Sequence, residues 1–197
     1  MAFEHAIALT GSISTGKSTT VKLLKEAGFH IIDADTISHQ VLDGQHEAIA
    51  KMFGEAFVKD GKVDRKALGT LVFSDEEKRK KLEALLHPLI YDEIERLSMV
   101  EDRLGKPYFI DIPLFFETRR YPIEKSLAIY TTKEQQLKRL IDREGYTKEE
   151  ALKRINTQIP VEEKRKLATY VIDNSGTLTQ LGQECERVKK EILNDSH

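Results

Sequence analysis

Short apolar runs alternate along this chain with longer stretches in which apolar residues return every three or four positions. Residues 6–10, Ala-Ile-Ala-Leu-Thr, form a run closed by Gly11, the pattern of a strand buried on both faces. Over residues 17–27 the apolar positions Val21, Leu23, Leu24 and Ala27 fall at helical spacing, and Gly28 sits where a glycine stops a helix. Residues 29–32 read as a second buried strand running into Asp33-Ala34-Asp35. Strand, loop, helix and strand in that order make a βαβ unit and imply a parallel sheet. Residues 108–112, 127–130 and 170–172 supply three more strands, so the pattern predicts an α/β fold.

Between the second and third strands lie residues 36–107. A parallel crossover needs only about a dozen residues, so most of this stretch is predicted to be an inserted helical region. Ser74 and Glu77 have the spacing of a capping box ahead of Leu82, Leu85 and Leu86; His87-Pro88 should break that helix, and Leu89, Ile90, Ile94 and Leu97 resume it. Thr132 with Gln135 and Thr147 with Glu150 begin two further helices in the same way. A last amphipathic helix over residues 178–193 aligns Leu181, Cys185, Val188 and Ile192, which makes Cys185 a core residue before a nucleophile.

Composition narrows the function classes. With Lys+Arg 31 against Asp+Glu 33, the 197 residues carry a formal charge of -2, too little positive charge for a generic nucleic-acid coat. Any anion must be held by a local cluster. One cysteine allows no intramolecular disulfide, and no Cys/His spacing fits a structural zinc site, so a reducing compartment is expected. Glu4 and His5 interrupt the first apolar run and no basic leader precedes it; neither a signal peptide nor a membrane span is predicted, and the expected location is cytoplasmic. A monomer is favoured.

Residues 11–18, Gly-Ser-Ile-Ser-Thr-Gly-Lys-Ser, match G-x-x-x-x-G-K-[ST] between the first strand and the first helix. The spacing lets successive backbone N–H groups from Gly11 through Ser14, Thr15 and Gly16 wrap a nucleotide phosphate while the helix N-terminus faces the same anion. Lys17 reaches the β- and γ-phosphates, the Ser18 hydroxyl can join a Mg²⁺ shell, and Thr19 adds a hydroxyl near the α-phosphate. Asp33 and Asp35 share a face if the second strand continues through them, where a carboxylate could accept the proton of an attacking hydroxyl; alternatively Asp35 caps the next helix. Asp111 ends a buried strand as a Walker-B-type acid for Mg²⁺ would.

Residues 133–169 carry ten Lys/Arg against seven Asp/Glu, a charge of +3 that leaves -5 for the rest of the chain. Arg139 and Arg143 share a helix face and Arg154 lies on the next helix, so this segment could close over a triphosphate as a lid; interleaved acids allow an ordinary solvated face instead.

These residues together resemble the dephospho-coenzyme A kinases. Matching elements are the loop 11–19, Ile32-Asp33-Ala34-Asp35 with Ile37, Arg65 with Leu68 before Val72-Phe73, and Leu82-Glu83 before His87-Pro88. They continue with Asp111-Ile112-Pro113-Leu114 and Phe116-Glu117, then Gln136, Arg139 and Arg143, then Arg154-Ile155 with Gln158, and finally residues 171–174 with Gly176. The resemblance implies transfer of the ATP γ-phosphate to the ribose 3′-hydroxyl of dephospho-CoA, with Mg²⁺. It implies a three-layer P-loop kinase fold with a five-stranded parallel sheet: one domain, with its core in residues 1–35, 108–132 and 170–197, an acceptor-binding insertion in 36–107 and a lid in 133–169. It further implies Asp35 as the catalytic base, Arg139 and Arg143 as lid contacts, and Asn174 in the adenine pocket. Asp33, His87 and Arg154 join Asp35 on the acceptor side, Asp33 as the more structural acid. The family commonly has glycine at positions 12 and 14, so Ser12 and Ser14 are tolerated only where the backbone is not left-handed. It also has aspartate where this chain has Thr169. The rivals are another small kinase with a different acceptor, and a GTP-dependent switch, against which the missing [NT]-K-x-D signature speaks.

Overall fold

The computed structural model describes residues 2–195. In chain order the elements begin β1 (Ala6–Gly11), α1 (Lys17–Glu26), β2 (Ile31–Asp33), α2 (Ala34–Gly44), α3 (His46–Phe53), β3 (Val58–Lys59), β4 (Lys62–Val63), α4 (Arg65–Ser74) and α5 (Glu76–Asp102). They continue with β5 (Tyr108–Asp111), α6 (Phe115–Thr118), β6 (Lys125–Tyr130), α7 (Lys133–Glu144), α8 (Lys148–Ile155), α9 (Val161–Leu167), β7 (Tyr170–Asp173) and α10 (Leu178–Asn194). The five predicted strands form one parallel sheet in the order β2-β5-β1-β6-β7.

Register decides what meets at the carboxyl edge of this sheet. Leu9 lies opposite both Asp111 and Leu127, and Gly11 opposite Ile129, so the chain leaving β1 turns beside the acid that ends β5. β1 and β5 are buried along their whole length and β6 from Ser126 onward, and Ile7, Leu9, Phe109, Leu127, Ile129 and Ile172 meet Leu24 of α1 and the α10 stripe Leu181, Cys185, Val188 and Ile192. Burial pushes the Cys185 thiol up to about 11, which suits a small apolar core residue.

The chain divides into two compact units, with Asp33–Leu97 as one and the flanking chain as the other. The smaller unit closes around Ile49, Val63 and Leu68, with Phe53, Phe57 and Leu85 packed against them. It contains a hairpin that the apolar pattern did not predict: Val58 pairs with Val63 across Asp60 and Gly61, both at positive φ (51° and 70°). Asp-Gly is the dipeptide that this type of tight turn favours.

Three local expectations are corrected. Ser74 is the last residue of α4 and Asp75 caps α5 instead, accepting from the Lys78 N–H at 3.1 Å. His87-Pro88 does not break the helix, because α5 runs through Pro88. The carbonyl that Pro88 leaves without a partner belongs to exposed Ala84 and is open to water, while buried Leu86 and Ile94 hold the helix on either side. Thr132 does cap α7, accepting from the Gln135 N–H at 3.2 Å, but the Gln135 side chain turns to the Ser175 carbonyl rather than completing a box. The Thr147–Glu150 box forms in full, and a third helix, α9, follows it before β7.

Candidate functional site

A buried strand delivers the chain to Gly11 and a helix takes it up at Lys17, so residues 12–16 must turn sharply over the sheet edge. Two glycines make the turn possible. Gly16 has φ 87°, and a Cβ there would stand 2.0 Å from Asn174 Nδ2; a Cβ at Gly11 would stand 2.8 Å from Thr15 Oγ1. Inside the turn the Thr15 N–H and hydroxyl both donate to the Ser12 carbonyl, at 3.3 and 2.9 Å. The turned-out Thr15 carbonyl accepts from Asn174 Nδ2 at 2.7 Å and from Arg139 Nη1 at 3.4 Å. Arg139 Nη2 also donates to the Asn174 carbonyl at 2.9 Å. Arg139 and Asn174 thus brace the loop from outside, with Asn174 8% exposed at the end of β7.

Lys17 reaches across to Asp111, with Nζ 2.6 Å from both carboxylate oxygens. The pair neutralises two charges beside the loop, and an incoming phosphate competes with Asp111 for the same ammonium group. Ser18 and Thr19 are exposed in the first turn of α1. Ser14, Gly16, Thr19, Arg139, Arg143 and Asn174 line an open cleft of about 380 Å³. Arg143 is largely exposed there, its Nε 2.6 Å from Glu144 Oε1. Arg154 lies apart from that lining, its guanidinium carbon 4.6 Å from the centre of the Tyr146 ring.

The serines at 12 and 14 behave differently. Ser12 stays out of the left-handed region and its hydroxyl donates to the Ile159 carbonyl at 3.4 Å. Ser14 does not meet the condition for tolerance: its φ is 58°, and its Oγ is buried without a hydrogen-bond partner. The residue at 169 finds a role as well, its hydroxyl accepting from the Ser126 N–H at 3.0 Å beside the start of β6.

Asp33 and Asp35 are separated by a change of structure rather than joined on one strand face. β2 ends at Asp33, whose carboxylate caps α2 by accepting from the Thr36 N–H at 2.9 Å; Asp35 is the second residue of that helix and is exposed. The cap is therefore Asp33 and not Asp35. His87 is half-buried on α5. Both acids and His87 belong to the unit Asp33–Leu97, and the loop, Asp111, Arg139, Arg143, Arg154 and Asn174 to the other.

Four further polar residues surround the loop; Glu117, Gln136 and Gln158 match the family resemblance without a role, and Lys164 is not part of it. Gln136 is 1% exposed on α7 and its Nε2 donates to the Ile13 carbonyl at 2.8 Å, while Gln158 Oε1 accepts from the Ile13 N–H at 2.8 Å. Lys164, 1% exposed, pairs with Glu117 Oε1 at 2.8 Å and donates to the Pro113 carbonyl at 3.2 Å. Besides that resemblance, Gln136 carries a signal in the pattern, as a polar residue four positions before Leu140 on the apolar stripe of α7.

Comparison with known proteins agrees with this geometry. The family model for dephospho-CoA kinase matches residues 5–180. The chain is 51% identical to the dephospho-CoA kinase of Sulfurimonas denitrificans over 98% of its own length and 96% of that protein's. It is 43% identical to that of Wolinella succinogenes, covering 98% of each chain. Among solved structures, the dephospho-CoA kinase of Campylobacter jejuni superposes with a TM-score of 0.72 at 37% identity over 95% of this chain and 97% of that one. A Thermus thermophilus protein does so with a TM-score of 0.77 at 39% identity, covering 96% of each. The chain belongs to the dephospho-CoA kinase family.

Proposed function

We propose that this protein transfers the γ-phosphate of ATP to the ribose 3′-hydroxyl of dephospho-CoA, giving CoA and ADP. The observation that carries the reading is the full-length identity to dephospho-CoA kinases, which spans the phosphate loop and the helical unit alike. The loop N–H groups and the start of α1 receive the β-phosphate, and Lys17 leaves Asp111 for the transferring phosphoryl group. Asp35 accepts the proton of the attacking 3′-hydroxyl, while Asp33 fixes the start of the helix that carries Asp35. Residues 133–169 act as the lid, with Arg143 and Arg154 offering charge to bound substrate and Arg139 holding the loop that binds it. His87 belongs to the acceptor-binding region, and Asn174 borders the base as well as the loop.

The donor set fits Mg²⁺. That ion uses one or two protein oxygens and completes its shell with phosphate oxygens and water; the Ser18 hydroxyl and the Asp111 carboxylate flank the loop as such a pair. When bound, the ion would neutralise charge on the β- and γ-phosphates.

Incubation with ATP, Mg²⁺ and a panel of acceptors, with products identified by mass, tests the reading. Dephospho-CoA should gain one phosphoryl group. Phosphorylation of a nucleoside or nucleotide in its place would overturn the assignment.

A further inference from the structure

The phosphate loop is coupled to the proposed lid by its own side chain. Ile13 sits within the loop, and its side chain packs against the buried cluster of Leu140, Ala151 and Ile155 between α7 and α8, which Leu137, Ile141 and Tyr146 also cover. Both backbone polar groups of Ile13 end on glutamines from the same region: the N–H on Gln158 Oε1 and the C=O on Gln136 Nε2, each at 2.8 Å. The neighbouring peptide is tied as well, through Ser12 Oγ to the Ile159 carbonyl. Residue 159 is itself anchored, because the Ile159 N–H donates at 3.1 Å to Glu117, the carboxylate held by buried Lys164.

We propose that Ile13, Gln136 and Gln158 are positioning residues for nucleotide binding: together they hold the first half of the phosphate loop in its anion-binding shape before any ligand arrives. A loop that is wrapped by N–H groups loses its shape when those peptides rotate, and two serines replace the glycines common in the family at this point. The clamp fixes the peptides on both sides of Ile13 from outside, so binding incurs less ordering entropy. The same contacts tie α7 and the segment after α8 directly to the loop, so the proposed lid and the phosphate loop share one set of anchoring residues.

The inference rests on the nucleotide-binding part of the function proposed above, and its test uses ADP so that the two readings fail separately. Titration calorimetry of the full chain with ADP and Mg²⁺ is compared for wild type, Ile13→Ala, Ile13→Val and Gln158→Ala. Losing the hydrogen bond to the Ile13 N–H should weaken ADP binding about 5-fold in Gln158→Ala, and withdrawing the Ile13 side chain from the apolar cluster should weaken it about 10-fold in Ile13→Ala. Ile13→Val should stay within about twofold, because the plug remains filled. KM for ATP should rise in parallel while KM for dephospho-CoA stays unchanged, a split that general loosening of the fold would not give. Should Ile13→Ala not fold, Gln158→Ala, which alters only a half-buried side chain, decides alone. ADP affinity within twofold of wild type in Gln158→Ala overturns the proposal, as does an equal rise in both KM values. A wild-type chain that binds ADP but leaves dephospho-CoA untouched overturns the acceptor assignment instead, and the ADP titrations still decide the clamp.

Discussion

The nucleotide end of the sheet and the unit Asp33–Leu97 are held together by different means. Around residues 11–18, backbone carbonyls and N–H groups end on side chains more than a hundred positions away in sequence: Ile13 on Gln136 and Gln158, Thr15 on Asn174 and Arg139. The smaller unit has an apolar core around Ile49, Val63 and Leu68, with Asp64 capping α4 and Asp33 capping α2 across three residues and the Val63 N–H donating to Asp43 twenty positions away. It also leaves Phe73 91% exposed. The contrast shows a division of labour. The proposed cradle for ATP is braced by side chains from distant parts of the chain, whereas Asp35 sits exposed in the first turn of α2.

Exchange of the proposed base breaks this division most sharply. Asp35→Asn should lower kcat by about 10²-fold or more, the range expected for loss of a general base, while ADP affinity measured by calorimetry stays at the wild-type value. A matching loss of ADP affinity would mean that the two units do not divide chemistry from phosphate binding. Near-normal turnover would remove Asp35 as the base, and the same loss confined to Asp33→Asn would exchange their roles.

The buried pair on the nucleotide side gives the next largest effect, now on stability. Lys164 is 1% exposed, and Glu117 Oε2 is buried with no hydrogen-bond partner, so the charge partner of the carboxylate is the ammonium group beside Oε1, an oxygen that also accepts from the Ile159 N–H. Lys164→Met leaves that charge uncompensated and should cost about 3 kcal/mol, read as a shift in the urea midpoint with an unchanged slope. Adding Glu117→Gln removes the stranded charge and should restore part of the loss. If the double variant is as unstable as the single one, the cost lies in packing and the pair is not what ties residues 158–164 down.

How much of this was legible in sequence follows the same contrast. Loop 11–18 was readable because its spacing is local and its chemistry needs Gly16 and Lys17 at fixed separation. The three central strands were readable because each is a short run buried on both faces, and the edge strands β2 and β7 because apolar Ile31-Ile32 and Val171-Ile172 run through them, though they are only partly buried. The roles of Asp33 and Asp35 depended on where β2 stops, which two residues of pattern do not determine. Pro88 misled because a local rule was overridden by Leu86 and Ile94 on either side, with exposed Ala84 letting water take the lost hydrogen bond. Gln136 and Gln158 entered only through the family resemblance, without a role, and Lys164 gave no sign of its own. Their partners lie far away in the chain, and only the folded sheet edge brings them to the loop.

The smallest effect concerns the one place where the preformed cradle is strained. Ser14 holds φ 58°, a conformation that costs a residue with a side chain about 1 kcal/mol or slightly more. Its hydroxyl is buried without a partner, which adds a desolvation cost. Ser14→Gly relieves both terms, while a freer unfolded chain takes back roughly 0.4–1 kcal/mol. The net gain should be about 1 kcal/mol, seen as a rise of about 3 °C in melting temperature for a chain of this size. Because the shape of the loop is imposed through Ile13 from outside, ADP affinity should remain within about twofold in Ser14→Gly. Weaker binding would show that the Ser14 hydroxyl is itself a ligand for phosphate, and that its missing partner is the nucleotide. A stability loss would show that the side chain rigidifies the loop from within, and would move part of the cradle's order from the glutamine clamp to residue 14.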